Sequence, residues 1–399
     1  MSKSNGRSPS MPAMVLAGML VALVVIVFGR LAYGLILPSM RADLALSYRQ
    51  AGTLGTVTAL GYLLLVLVGG LAASRWGPRQ AVLLGLLALT SGFTGLALAS
   101  HYWLLVALMA LLGLGTAFSF APMVSLLATW YPQQRGLVIG CMSAGIGAGM
   151  FLTGLFLPWL YGLFGNLGWR IAWASFAAVA FAAGVLVLLV VRDPPASGTA
   201  GRLPAADKWL IYRNPRVLTV ALVYGIIGLT YIVQVIFMFS FMVESGHSEA
   251  TAGWMMAMMG LLSVFSGPLW GSLSDAWGRG NALSCAMALV MAAMALPLFS
   301  QGLATFFAHF FFMGCAVNGM FTMIQAASTD QVAPRYIPIA FSFVTLFFAG
   351  GQFIGPAIAG WLIELSGFRL AIVFTCLWLL VGLYLTQRIR RFPPTLAIE

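Results

Sequence analysis

The sequence predicts an all-α membrane protein: twelve transmembrane helices in two pseudo-symmetric six-helix bundles. Three observations carry that expectation. Of 399 residues, 61% are hydrophobic and only 7% charged, against roughly 25% charged in a soluble domain. Apolar runs close to the ~20 residues that cross a bilayer follow one another along the chain. Loop patterns of the first half also return in the second at a nearly constant offset. A soluble protein of this size could not hide so much apolar surface, because a folded chain must still cover itself with polar atoms. The bilayer removes that demand.

In order, the runs place spans at 14–40, 49–73, 79–99, 103–129, 136–161 and 169–192, then at 215–243, 250–274, 281–301, 304–328, 336–363 and 368–388. Residues 1–13 read as a cytoplasmic N-terminal tail, 14–192 as one bundle and 215–388 as the other. The inter-bundle loop, 193–214, is cytoplasmic and contains Asp193-Pro194-Pro195 and Ser197-Gly198, which break helices. Residues 389–399 form a C-terminal cytoplasmic tail. Lys3 and Arg7 ahead of the apolar run from Met14 imitate a signal peptide. Arg30 interrupts that run, however, and no convincing small-residue cleavage site follows, so the first span reads as uncleaved.

With the N-terminus inside, 15 of the 20 Lys and Arg residues fall in cytoplasmic segments, four (Arg41, Arg49, Arg170 and Arg369) fall outside, and Arg30 lies within a span. That bias fixes orientation, and an even number of spans returns the C-terminus to the cytoplasm. The expected location is a bacterial plasma (inner) membrane. The basic excess does not point to nucleic acid, because it sits in short loops. Cys141, Cys285, Cys315 and Cys376 lie in apolar runs without a CxxC pair, so they read as packing residues. No cluster of ligand or catalytic spacing and no phosphate loop appears, so neither enzyme, metal, cofactor nor ATP drive is expected.

The repeat is specific. Gly70-Leu71-Ala72-Ala73-Ser74-Arg75-Trp76-Gly77 follows the second span, and Gly271-Ser272-Leu273-Ser274-Asp275-Ala276-Trp277-Gly278 follows the eighth, 201 positions later. Arg135 and Arg335 stand 200 apart in matching loops. Gly168-Trp169-Arg170 and Gly367-Phe368-Arg369 open the sixth and twelfth spans 199 apart. Two six-span halves of like orientation follow, an architecture in which secondary carriers hold substrate near the midplane.

The G-x-x-x-D-x-x-G loop after the second and eighth spans resembles the signature of the major facilitator superfamily, and span count and duplication extend the resemblance over the whole chain. Asp275 takes the acidic position in the second half, but Ser74 stands there in the first. Met109, four before Gly113, stands where the family often has an Arg. Arg135-Gly136-Leu137, the glycine run from Ser143 to Gly149 and Gly168-Trp169-Arg170 resemble the monocarboxylate and oxalate–formate branch. The resemblance implies that spans one, four, seven and ten line the cavity. It also points to Asp275, Arg279, Arg135 and Arg335 as conformational gating residues on the cytoplasmic side. Asp275 can accept helix N-terminal N–H groups or pair with an Arg, latching that side shut; an ordinary solvated loop charge is the plain alternative.

Arg30 is the most informative residue. It lies about sixteen residues into the first run, and a central Arg costs about 2.5–3.5 kcal/mol on insertion scales. It cannot shed its proton, and no Asp or Glu falls clearly within a span. Two readings stand: it binds a carboxylate through two parallel hydrogen bonds, or it is structural and bonded to backbone carbonyls and hydroxyls. Tyr33 shares its face. Span seven carries Tyr224, Tyr231 and Gln234 on one face, and span ten carries Asn318, Thr322, Gln325 and Thr329. Lipid would leave these groups unsatisfied, so they face protein or water. All but Thr329 are substrate-binding candidates, with helix–helix hydrogen bonding as the other reading; Tyr62 and Gln352 are weaker candidates. His309 is half a turn away from the span-ten stripe and does not read as a proton relay. Gly140, Gly145, Gly147, Gly149 and Gly154 in span five, and Gly350, Gly351, Gly355 and Gly360 in span eleven, favour close helix packing.

The expected function is alternating-access transport of a small, monocarboxylate-like organic anion by a monomeric carrier in a lipid bilayer. A drug or metabolite exporter with a structural Arg30 is the first alternative, and a transporter-like sensor or scaffold the second.

Overall fold

Helix follows helix wherever a capping residue or a glycine allows the chain to turn. The structure is a computed structural model, and it describes residues 10–131, 135–193, 211–332 and 337–391. The first rod, α1, comprises Met11–Ala22, a wider π-helical stretch Leu23–Leu31, and Tyr33–Leu44. The others of the first half are α2 (Tyr48–Trp76), α3 (Pro78–Leu98), α4 (Tyr102–Trp130), α5 (Arg135–Phe164) and α6 (Gly168–Val190). The second half holds α7 (Pro215–Glu244), α8 (Glu249–Trp277), α9 (Arg279–Phe299), α10 (Leu303–Thr329), α11 (Ile337–Ser366) and α12 (Phe368–Ile389). Ten stretches of the described residues are long and apolar enough to cross a membrane. One of them, Val138–Val190, holds both α5 and α6, and α2, 29 residues long, completes the twelve.

The turns explain the repeated loop motif. Its last glycines, Gly77 and Gly278, have φ of +96° and +87°, which a side chain would strain. Each is the only residue between two long helices. Ser47 begins α2 with a capping box completed by Gln50. Asn214 and Ser248 accept backbone N–H groups at the starts of α7 and α8.

In lipid the helices gain little by hiding apolar groups from one another, so close backbone approach decides which pairs meet. Three pairs join the halves. A Cβ at Gly34 of α1 would run into the carbonyl of Val235 of α7. Gly52 of α2 faces the Pro356 carbonyl and Gly360 of α11, and Gly154 of α5 faces the backbone of Gly253 and Ala257 of α8. All of these lie toward the end of the molecule opposite the termini. Gly70 and Gly140, toward the other end, Gly350, near the middle of α11, and Gly162, near the end of α5, have nothing within 4 Å of where a Cβ would stand.

Polar pairs also tie the halves at the closed end. Arg41 reaches Glu244 at 2.6 Å and lies over the Tyr48 ring at 4.2 Å, while the Tyr48 hydroxyl donates to the same carboxylate. Glu364 accepts from the Ser47 hydroxyl and the Arg49 backbone, both at 3.2 Å, and pairs with the Arg49 guanidinium at 3.8 Å. The Ser39 hydroxyl donates to Glu249 at 3.4 Å. Here the first half brings cations and the second half carboxylates.

Candidate functional site

The wide turn of α1 presents Arg30. The Ala32 N–H reaches back five residues to the Val27 carbonyl at 2.7 Å, and such π-type turns mark functional positions in many helices. Arg30 stands about one turn from the Gly34 contact, at the floor of the closed end. Its guanidinium donates through Nη2 to Oε1 of Gln352 on α11 and lies over the Tyr62 ring of α2, 5.0 Å from the centroid. One residue of the first half thus bonds directly to the second. Arg30 is half-buried and borders a cavity shared with Tyr33, Thr58, Ala59, Met109 and Ile232. Among the described residues no carboxylate lies within ion-pair distance of it. Gln352 and Tyr62 bring a dipole and a π-face, so the positive charge is oriented but not neutralised.

The other expected residues divide. Tyr33 lines the same cavity, as its spacing implies, although its hydroxyl donates to the Ala51 carbonyl at 2.9 Å. Tyr231 lies in electrostatic range of the guanidinium. Tyr224 is stacked on Phe348 at 4.4 Å, and its hydroxyl accepts from Nε2 of Gln325 at 3.2 Å. These residues gather around the centre. Asn318 instead donates to the Ser263 carbonyl of α8 at 2.8 Å. Thr322 returns its hydroxyl to the Asn318 carbonyl at 3.0 Å beside Gly267 of α8. These two face the α8–α10 seam. The Thr329 side chain lies outside the described residues.

Gln234 faces into the second half, with its amide 3.7 Å from the Met259 sulfur and its carbonyl oxygen buried without a partner. It lines a separate apolar cavity with Phe237, Met294 and Phe368. An unpartnered buried carbonyl is costly, so Gln234→Leu is expected to raise or preserve the Tm in detergent and to leave transport within about twofold of the parent. Lost transport with an unchanged Tm would instead place Gln234 in the substrate path.

The expected gating residues also part company. Asp275 pairs with Arg279 at 2.8 Å, and Arg279 reaches Asp330 at the end of α10 at 3.1 Å and Ser274 at 2.6 Å. This network stays inside the second half, at the end opposite the Arg41–Glu244 pair. In the first half, where Ser74 replaces the acid, Asp193 after α6 accepts the Arg79 backbone N–H at 2.8 Å at the start of α3. A carboxylate from the segment after α6 therefore caps the start of α3. Arg335 and the side chain of Arg135 lie outside the described residues. Because the Asp275 carboxylate is 68% exposed, Asp275→Asn is expected to cost less than about 1 kcal/mol of stability, read by thermal unfolding; a larger loss would make the pair a structural lock.

The sequence marks Gln352 and Tyr62 only as weaker candidates; their place on the guanidinium shows only in the fold. It did not single out Phe321 and Phe348, nor the pairing at the closed end. A signal for the latter was present: Arg41 and Arg49 lie in the first half, and Glu244, Glu249 and Glu364 in the second, all at span ends on one side.

Twelve membrane-length helices among the described residues and a cavity between the two halves define a membrane carrier. The Major Facilitator Superfamily model matches residues 19–245 and 220–397, and the chain belongs to that superfamily, a family of transporters rather than enzymes. Among curated relatives, "Probable transporter MCH2" of Saccharomyces cerevisiae is 24% identical over 62% of this chain and 53% of its own length, so this chain spans about half of that relative. The "Oxalate:formate antiporter" of Oxalobacter formigenes is 24% identical over 73% of this chain and 72% of its own. The fold is similar to that of a bacterial homologue of the human lysosomal transporter Spinster, with a TM-score of 0.76 and 19% identity over 97% of this chain and 98% of that one.

Proposed function

We propose that the protein carries a small organic anion of monocarboxylate type by alternating access, with the substrate carboxylate held by Arg30. The observation that carries this reading is an uncompensated guanidinium on a cavity between the halves, bonded across them to Gln352. A carboxylate arriving there supplies the missing charge with bidentate geometry and competes with Gln352 for the guanidinium, so occupancy acts on a bond that joins the two halves. The oxalate:formate antiporter relative is named for two small organic anions, of which formate is a monocarboxylate and oxalate a dicarboxylate. The Lys and Arg bias puts the closed end outside, which makes this a state open to the cytoplasm of a bacterial plasma membrane. The carrier acts as a monomer. Asp275, Arg279, Arg135 and Arg335 serve the opposite state, in which the cytoplasmic end closes.

A second reading rests on the same bond: Gln352 satisfies Arg30 structurally, and the cargo is an uncharged metabolite for export. Transport into proteoliposomes separates the two. Labelled small monocarboxylates are expected to exchange across the membrane, and their uncharged amides are not. Equal transport of acids and amides would remove the anion reading in favour of the second.

A further inference from the structure

Resting on the reading of Arg30 as a carboxylate site, we infer that the cargo is an aromatic acid with a single negative charge, its ring held by an aromatic wall of the second half. Two features beyond the guanidinium point there.

The first is charge. Arg30 is the one cation in the middle of a span. The residues that share its cavity, Met109, Ile232, Ala59 and Thr58, carry no charge. One carboxylate therefore finds a partner. A second carboxylate on the same molecule would lie against methyl, thioether and hydroxyl groups, stripped of water without a cation in return.

The second is the wall itself. Phe348 stands four residues, about one turn, before Gln352 on α11, and Gln352 accepts from the Arg30 guanidinium. The Phe321 ring stands edge-on to Tyr231 at 5.0 Å and edge-on to Phe348 at 5.5 Å. Phe348 is stacked on Tyr224, and Gln325 holds the Tyr224 hydroxyl. Three helices, α7, α10 and α11, thus fix four rings against one another. Tyr231, Phe321 and Phe348 each stay only half-buried, although rings left partly uncovered in a protein interior forgo contact area. Ring pairs favour edge-to-face or offset contact at about 4.5–7 Å between centroids. An aryl group attached to a carboxylate on Arg30 has such faces beside it, ordered before it arrives. Acetate or formate would fill the anion position and leave the wall uncovered.

Isothermal titration of the full-length protein in lipid nanodiscs tests this with acetate, benzoate, phenylacetate, terephthalate and benzamide. Benzoate or phenylacetate is expected to bind about tenfold or more tightly than acetate. Terephthalate should bind no better than acetate, and benzamide should not bind. Phe321→Leu should shrink the benzoate-to-acetate ratio to below about twofold, and Phe321→Tyr should restore it. Equal affinity for acetate and benzoate, both lost in Arg30→Gln, would overturn the aromatic cargo and leave the anion site standing. A preference for terephthalate would overturn the single charge, and an aromatic preference untouched by Phe321→Leu would overturn the wall. If no acid binds, or Arg30→Gln binds every acid like the parent, the underlying anion reading fails as well.

Discussion

Replacing Arg30 by Gln is expected to weaken carboxylate binding by about 2–5 kcal/mol, the range for truncating one partner of a buried charge pair. In affinity this is between about thirtyfold and a few thousandfold, with exchange in proteoliposomes falling in parallel. Gln keeps a polar, uncharged head but is two bonds shorter than Arg, so the variant loses both the charge and the Nη2 contact to Gln352. The variant should fold at least as well as the parent, since a central Arg costs about 2.5–3.5 kcal/mol to insert. Arg30→Lys keeps the charge but loses the planar fork that serves Gln352 and a carboxylate together. It should fall between the two. The measurement is binding of a small carboxylate to purified protein, with the Tm as the control for folding. Parent-like affinity in both variants would leave Arg30 a structural residue.

The second large effect is expected at Gly34. In this state the α1 backbone touches that of α7 there, and a Cβ would run into the Val235 carbonyl. A carbonyl in a helix has no alternative rotamer, so Gly34→Val cannot be absorbed while the end stays closed. Overpacking of this kind costs about 1–3 kcal/mol, enough to move a two-state equilibrium about five- to hundredfold toward the arrangement in which α1 and α7 separate at this end. Transport, which needs both states, should fall by about tenfold or more. The readout is a cysteine at Ala59, on the cavity wall, in a background lacking the native cysteines. An impermeant thiol reagent added on the closed side should label it in Gly34→Val and not in the parent. Gly140→Val, where a Cβ meets empty space, is the matched control. Unchanged labelling with normal transport in Gly34→Val would show that this approach does not hold the end shut.

The glycines illustrate how far a sequence carries. A high glycine content in the fifth and eleventh spans announces close packing, but position alone does not say which glycine meets which helix. Gly154 meets α8, Gly355 packs on the Leu229 carbonyl of α7, and Gly350 meets nothing. The same holds for the α10 stripe. Helical spacing puts Asn318, Thr322 and Gln325 on one face, yet that face is wide enough to touch two neighbours. Asn318 turns to α8, and Gln325 to Tyr224 of α7. Gln234, read from its spacing as sharing a face with Tyr224 and Tyr231, points toward Met259 rather than the central cavity, because a buried face of a helix in a bundle need not be the face toward the pore.

What the sequence determined by itself was the membrane class, the twelve apolar runs, the repeat and the anomaly at Arg30. All four follow from local quantities: hydropathy over about 20 residues, the offset between loop motifs, and the cost of one charge in an apolar run. Only the tertiary structure decided that Gln352 and Tyr62, 322 and 32 positions from Arg30, would close on its guanidinium. It alone paired Arg41 with Glu244 and Arg49 with Glu364 across the halves. Those contacts depend on how two bundles seat against each other, and that is set by the summed approach of many small residues rather than by any segment read alone.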